Sequence, residues 1–319
     1  MTSERGARIG PGAALILALA LTLAPAMATA QETAANMPIA DLHFHPGAGR
    51  AGPEDLRDAL DRSGVRWFGL GFIGGPEVLP AFSRAYGNRL IPWAGQMGMD
   101  QIWLKGGAAE LENPANPEFK QLLANLEPGL ATKQLAGIGE LFVNNRRSSS
   151  YPQRMRKMVI DGPVIRALFD LAAKYDAFLA FHMEADADSI AQLRRLAASN
   201  PRGRILLNHC GVNLGPADLS RLFDELPNLY CEVSVRYPPM RPPRGIFTEM
   251  FDARAIGWGW KDVIIKHADR FMIGTDTDGD SGKYVESIRT VRSGLLANLP
   301  IEVASQVAYG NAKELFGLK

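Results

Sequence analysis

Cysteine is nearly absent. Cys210 and Cys231 are the only two in 319 residues, too few for a disulfide scaffold or a cysteine-based zinc module. Both stand in apolar, strand-like runs, so two buried free thiols are expected, although an oxidising compartment would permit a bond between them. An excess of one charge is also missing. Thirty-five Lys and Arg oppose 34 Asp and Glu, which excludes the basic stripe of a nucleic-acid binder. No Gly-rich phosphate loop follows an early strand. The 32 glycines and 21 prolines follow no fibrous repeat. With 46% hydrophobic residues the chain is too apolar to be disordered. What remains is a globular protein able to build a large core.

Long apolar runs are lacking too. The one that stands out, Ala13–Ala24 (AALILALALTLA), is shorter than the roughly 20 residues of a membrane span. Arg5 and Arg8 precede it, Pro25 ends it, and Ala28-Thr29-Ala30 offers small residues for cleavage. Residues 1–30 therefore read as a secretory signal peptide cut after Ala30. No cysteine lies near the cut and no Arg-Arg pair precedes the run, which argues against a lipoprotein or twin-arginine signal. The expected destination is the periplasm or the exterior, with no stable membrane insertion after cleavage.

Residues 31–319 alternate strands and helices. Strand candidates are Ile39–His43, Arg66–Gly71, Leu90–Trp93, Ala136–Leu141, Phe178–His182, Ile205–His209, Leu229–Val233 and Phe271–Gly274. Several are apolar throughout, as strands buried on both faces should be. Pro53–Ser63, Pro163–Tyr175, Asp188–Ala198 and Ala217–Leu226 carry helical stripes. Eight strands with helical crossovers predict an α/β fold, a single-domain (β/α)8 TIM barrel; a doubly wound sheet is the runner-up. Tyr237–Gly245 (YPPMRPPRG) holds four prolines and reads as a long loop at the barrel mouth.

Histidine is scarce, and its placement carries the signal. Of five, four stand at or just past the end of a predicted strand: His43, His45, His182 and His209. His43 and His45, two apart on one strand, point the same way and can reach one metal ion. Alone an H-x-H pair is weak; other strand ends strengthen it. Glu140 closes strand 4 after Ile138-Gly139, and Asp276 follows strand 8 at the end of the barrel where catalytic groups collect. A buried carboxylate in such a place needs a partner or a metal. His267 precedes strand 8, at the opposite end, and reads as structural or exposed. Asp278 and Asp280 read as surface turn acids.

This set resembles the amidohydrolase superfamily of metal-dependent barrel enzymes. Asp41–His45 is similar to its strand-1 motif, and His182, His209 and Asp276 match its strand-5, strand-6 and strand-8 positions in order. Asp269–Asp276 (DRFMIGTD) and the closing Tyr309–Leu318 (YGNAKELFGL) resemble two further signatures, the latter from the amidohydrolase-related branch that includes decarboxylases. Ile138–Glu140 looks more like the TatD-type hydrolases, where such a Glu is a metal ligand. No carboxylated-lysine bridge is identifiable on strand 4; Glu140 takes its place. The resemblance implies one or two divalent ions, Zn²⁺ first, with Mn²⁺ or Fe²⁺ as alternatives. In the favoured arrangement His43, His45 and Asp276 hold one ion, His182 and His209 the other, and Glu140 bridges. In the alternative a single ion binds His43, His45, His182 and Asp276, and His209 polarises substrate. Asp276 is expected to take a proton from the attacking water and pass it to the leaving group, with His209 as the second catalytic candidate.

The implied activity is hydrolysis of an ester, lactone, amide or phosphoester of a small molecule. A decarboxylase of the same superfamily and a non-catalytic metal-binding barrel are the alternatives. Arg146, Arg147, Arg154 and Arg156 follow strand 4, and Arg236, Arg241 and Arg244 follow strand 7. Arginines on such loops could grip a carboxylate or phosphate, so an anionic substrate is expected. Arg146, Arg147, Ser234 and Arg236 are the substrate candidates. Glu232 shares a strand face with Ser234. No nucleic-acid partner is expected, and the oligomeric state is open.

Overall fold

Eight short apolar segments do form parallel strands, and they pair strictly in chain order: β1 (Ile39–Phe44), β2 (Val65–Leu70), β3 (Leu90–Gly95), β4 (Gly137–Asn144), β5 (Phe178–Met183), β6 (Arg204–Asn208), β7 (Leu229–Glu232) and β8 (Phe271–Met272). The computed structural model describes residues 1–2, 32–45, 52–71, 78–148, 154–240, 246–277 and 279–319. The segment 1–30 expected to be a signal peptide, apart from its first two residues, and Arg241, Arg244 and Asp278 lie outside the described residues. Bridges at Asp41–Ile273 and Phe44–Thr277 bring the chain after β8 back to β1, and Leu42 N donates to Ile273 O at 2.9 Å. The expected (β/α)8 barrel is thus formed, within one unit that runs from Glu32 to Lys319. Among the described residues no helix is long and apolar enough to cross a membrane.

Helices fill the crossovers. Those at Pro53–Arg62, Pro117–Ala131, Pro163–Lys174 and Pro216–Glu225 each begin on proline, whose fixed φ and missing N–H suit the first helical position. Ala187–Ser199 is capped by Asp186, which accepts from Ser189 N at 2.8 Å. Gln96–Leu111, Pro117–Ala131 and the helical turns from Ser281 to Phe316 were not foreseen. Gln96–Leu111 has no capping side chain and contains Gly107 in a non-helical conformation, so it lacks the usual sequence marks of a helix.

Two apolar layers result. One lies between strands and helices and includes Phe68, Leu141, Phe181 and Leu207. The other joins alternate residues of the strands, among them Ala40, Leu42, Trp67, Trp93, Phe178, Ala180 and Met272, with Leu315, Phe316 and Leu318 of the chain end packed against them. This fills the barrel interior, and the tail closes its floor, where Trp67 Nε1 donates to Lys319 O at 3.2 Å. The opposite end, at the carboxyl ends of the strands, is left for polar residues.

Two expectations are corrected here. Cys210 and Cys231 are disulfide-bonded, with Cα atoms 4.8 Å apart, rather than free. β6 and β7 are neighbours, Leu207 faces Cys231 in register, and Cys210 N donates to Glu232 O at 2.9 Å, so the chain leaving β6 sets the two side chains within bonding reach. Glu140 does not end its strand: β4 runs on to Asn144, and a register shift against β5 between Ile138 and Leu141 surrounds it.

Candidate metal centre

Apart from Glu140, which lies within β4, each candidate side chain comes from the carboxyl end of a strand or the turn just after it. In β1 the pairing with β2 shifts between Asp41 and Phe44, where His43 lies. Asp41 anchors that segment: its Oδ1 accepts from His43 N (3.1 Å) and Thr275 N (3.0 Å), and its Oδ2 from Thr275 Oγ1 (2.7 Å). Burial pushes Asp41 up to about 6. In β4, Gly139 has φ 150°, and a Cβ there would stand 2.4 Å from Ala180 O, so only glycine lets the backbone approach β5 this closely just before Glu140. His209 and Asp276 occupy the left-handed region, with φ 57° and 55°, an uncommon conformation that recurs at functional sites.

The side chains converge. His43 Nε2 is 2.8 Å from His45 Nε2, 3.3 Å from Asp276 Oδ1 and 3.4 Å from Glu140 Oε2. His45 Nε2 is 3.0 Å from Asp276 Oδ1 and 3.7 Å from Glu140 Oε2. The other oxygen of Glu140, Oε1, lies 3.0 Å from His209 Nε2 and 3.4 Å from His182 Nδ1. His43 belongs to both tight ligand groups, one with His45 and Asp276 and one with Glu140 and His209. The three imidazoles of that pair of groups, His182 and Glu140 are sealed from solvent, whereas the Asp276 side chain is 25% exposed and marks the open side.

Proton positions can be read from the groups behind this cluster. Glu232 Oε1 lies 2.9 Å from His43 Nδ1, and a carboxylate only accepts, so His43 carries its proton on Nδ1. Ser234 Oγ lies 2.9 Å from the same oxygen and 2.7 Å from His209 Nδ1. The serine donates to Glu232 and accepts from His209, whose proton is also on Nδ1. Both Nε2 atoms therefore aim lone pairs at Glu140 and Asp276. Acceptors this close, His209 Nε2 and Glu140 Oε1 at 3.0 Å above all, need a positive charge between them. Imidazole nitrogens and carboxylate oxygens with outward protons fixed by a carboxylate are the donor set of a divalent metal site. The surrounding acids draw a positive charge to this place, a proton or a metal ion alike. Burial opposes a charge on His43, but Asp276, Glu140 and Glu232 outweigh it and hold His43 well above the usual histidine range. Burial likewise opposes ionisation of Glu140, yet the charge of His43 and the bonds from His182, His209 and His43 keep it well below the usual carboxylate range. Burial lowers His182. His45 Nδ1 is buried and has no hydrogen-bond partner among the described residues.

The substrate candidates divide. Arg146 is exposed and makes no ion pair among the described residues, whereas Arg147 pairs with buried Glu184 (3.1 Å). Arg154 and Arg156 turn to Asp100, Arg156 at 2.7 Å. Ser234 and Arg236 are corrected: both are fully buried. Ser234 stands behind His209. Arg236 donates to the carbonyls of His209 (2.9 Å) and Leu214 (2.8 Å), stacks on Trp260, and is lowered by burial to about 9. It braces the turn that carries His209. His267 lies outside the site, bonded to Ser220 Oγ at 3.0 Å. Glu232 is a site residue that sequence reasoning did not single out; an acid inside an apolar strand run was the available signal, and the structure buries it fully. Its seat depends on Gly274, where a Cβ would fall 1.9 Å from Glu232 Oε2. Gly274→Ala is therefore expected to displace Glu232, weaken metal uptake and cost about 1–3 kcal/mol in stability; an unchanged urea midpoint with unchanged cobalt(II) binding would refute this.

Comparison with known proteins bears on the family and the fold. The family model described as amidohydrolase matches residues 40–318. No curated relative matches. Among solved structures, a probable 2-pyrone-4,6-dicarboxylic acid hydrolase from Acinetobacter baumannii superposes with TM-score 0.53 at 12% identity, covering 88% of this chain and 100% of that one. An amidohydrolase from Burkholderia multivorans with bound zinc gives 0.51 at 12% identity, covering 88% and 100%. A 2,6-dihydroxybenzoate decarboxylase from Rhizobium gives 0.50 at 14% identity, covering 88% and 99%. At these identities the likeness establishes the barrel fold.

Proposed function

The chain belongs to the amidohydrolase family, and from that premise we propose that it is an exported, metal-dependent hydrolase acting on a small anionic or ester-bearing molecule. The observation that carries this reading is the pair of facing acceptors, His209 Nε2 and Glu140 Oε1, with the imidazole proton held on the far side by Ser234. His43, His45 and Asp276 would hold one divalent ion, and His182 and His209 a second. Glu140 suits the place between them, since Oε2 faces His43 and His45 while Oε1 faces His182 and His209. A divalent ion supplies Lewis acidity toward a substrate oxygen and acidifies water. Zn²⁺, Mn²⁺ and Fe²⁺ all accept such ligands, with Zn²⁺ the first choice.

Asp276 is the residue of the cluster that reaches solvent, so it is placed to take a proton from water and return it to the leaving group. Glu232 and Ser234 hold the imidazole protons away from the reacting face. Arg146, exposed and without an ion pair among the described residues, offers a planar fork to a carboxylate or phosphate. Export is proposed from the leader over 1–30; a Cys210–Cys231 bond is at home in an oxidising compartment.

A second reading rests on the sharing of His43 by both ligand groups, which favours a single ion. His43, His45, His182 and Asp276 would then bind it, and His209 would face substrate, an arrangement that serves non-oxidative decarboxylation as well as hydrolysis. Metal content of protein purified without chelator decides. Two ions per chain, falling to one in Glu140→Gln, are expected. One ion in both proteins would establish the single-ion reading, and the absence of any ion would leave a barrel without this chemistry. A panel of esters, lactones, amides, phosphoesters and aromatic acids then separates hydrolase from decarboxylase.

A further inference from the structure

His182 has an outward partner of its own. Its Nε2 lies 2.7 Å from Ser148 Oγ, and its Nδ1 lies 3.4 Å from Glu140 Oε1. Ser148 Oγ also lies 2.7 Å from Asn145 Oδ1 and 2.9 Å from Glu184 Oε1. A hydroxyl has one proton to give, and an amide carbonyl and a carboxylate can only accept. Once either oxygen takes that proton, His182 Nε2 must donate to Ser148, which leaves the lone pair on Nδ1, facing Glu140.

We propose that Glu184 and Ser148 form a positioning relay that holds His182 in the Nε2–H form and presents its Nδ1 to the metal centre. Glu184 is suited to the task. It is 2% exposed, it accepts from Ser148 N at 2.8 Å and from Arg147 N, and Arg147 Nε reaches its second oxygen at 3.1 Å. Its own N donates to Asn144 O at 2.8 Å, which ties the end of β4 to the residue just after β5. The relay mirrors the one formed by Glu232, Ser234 and His209. There the serine takes Nδ1 and Nε2 points inward; here the serine takes Nε2 and Nδ1 points inward. A glutamate–serine pair thus sets the ring from two different walls of the barrel, with opposite tautomers.

Only the consequence for metal binding rests on the reading of His182 as a ligand; the tautomer does not. With five histidines in the chain, long-range proton–nitrogen NMR of the imidazoles can be assigned by single replacements. In the full-length protein with excess chelator, His182 should appear as Nε2–H. Ser148→Ala should turn it into a mixture of tautomers, and Ser148→Thr, which keeps the hydroxyl, should restore the original signal. A His182 protonated on Nδ1 in the wild type, or a spectrum that Ser148→Ala leaves unchanged, overturns the proposal. Cobalt(II) titration followed by its absorption bands gives the second readout: the Kd should rise about tenfold in Ser148→Ala and stay near wild type in Ser148→Thr. Failure of the wild type to bind cobalt(II) would instead overturn the metal reading, with the tautomer still decided by the NMR result.

Discussion

Asp276→Asn should lower turnover by about 10²–10⁴-fold, the usual worth of a positioned general base. Asparagine is the cleanest replacement. It tolerates the left-handed backbone found at this position, φ 55°, better than other residues of its size. The bond from Asp276 N to His43 O (2.6 Å) belongs to the backbone and survives the change. What is lost is a carboxylate oxygen 3.0 Å from His45 Nε2 and 3.3 Å from His43 Nε2, and with it the proton acceptor on the open side of the cluster. The measurement is kcat on whichever substrate of the panel is turned over, with metal content determined on the same preparation. Turnover within a few-fold of wild type, at equal metal content, would remove Asp276 from the proposed chemistry.

The second large effect is expected at Glu232, which touches no substrate. Glu232→Ala strands a set of buried donors: His43 Nδ1, Asn208 Nδ2, Ser234 Oγ and the amides of His209 and Ser234 all reach this carboxylate within 3.2 Å. Removing one partner of a buried charged pair costs about 3–5 kcal/mol, and loss of a carboxylate behind a metal-binding histidine costs about 10–100-fold in affinity. Glu232→Gln separates the two effects. The amide fills the same volume, but its NH2 group can meet His43 Nδ1, which would move the imidazole proton to Nε2 and aim it into the ligand cluster. Most of the stability should therefore remain while cobalt(II) affinity falls. Urea unfolding and metal titration of both variants test this. Equal affinity in wild type and Glu232→Gln would show that the tautomer of His43 does not depend on Glu232.

Much of this molecule can be read along the chain. Strands buried on both faces appear as unbroken apolar runs, so all eight were located to within a few residues. Four of the five histidines come together with Asp276 and Glu140 within hydrogen-bond distance, although Glu140 sits within its strand rather than at its end. The helix over Gln96–Leu111 lacks a capping side chain and is broken at Gly107, so nothing local marks it, whereas Ser281–Thr290 is capped by Asp280 and its start was legible in the sequence.

Chain order and residue type sufficed for the barrel and for the identity of the side chains that gather at its mouth, because periodic burial and strand-end placement are local properties. The direction in which each polar side chain points was settled by packing between distant segments. Arg236 looked like an anion-binding loop residue, yet its guanidinium braces the carbonyls of His209 and Leu214. Glu232 and Glu184 gain their roles only where β6, β7 and the loop after β4 place histidines and serines against them. Hydrogen-bond partnership and desolvation depend on neighbours many residues away, so they come into being only when the cylinder closes.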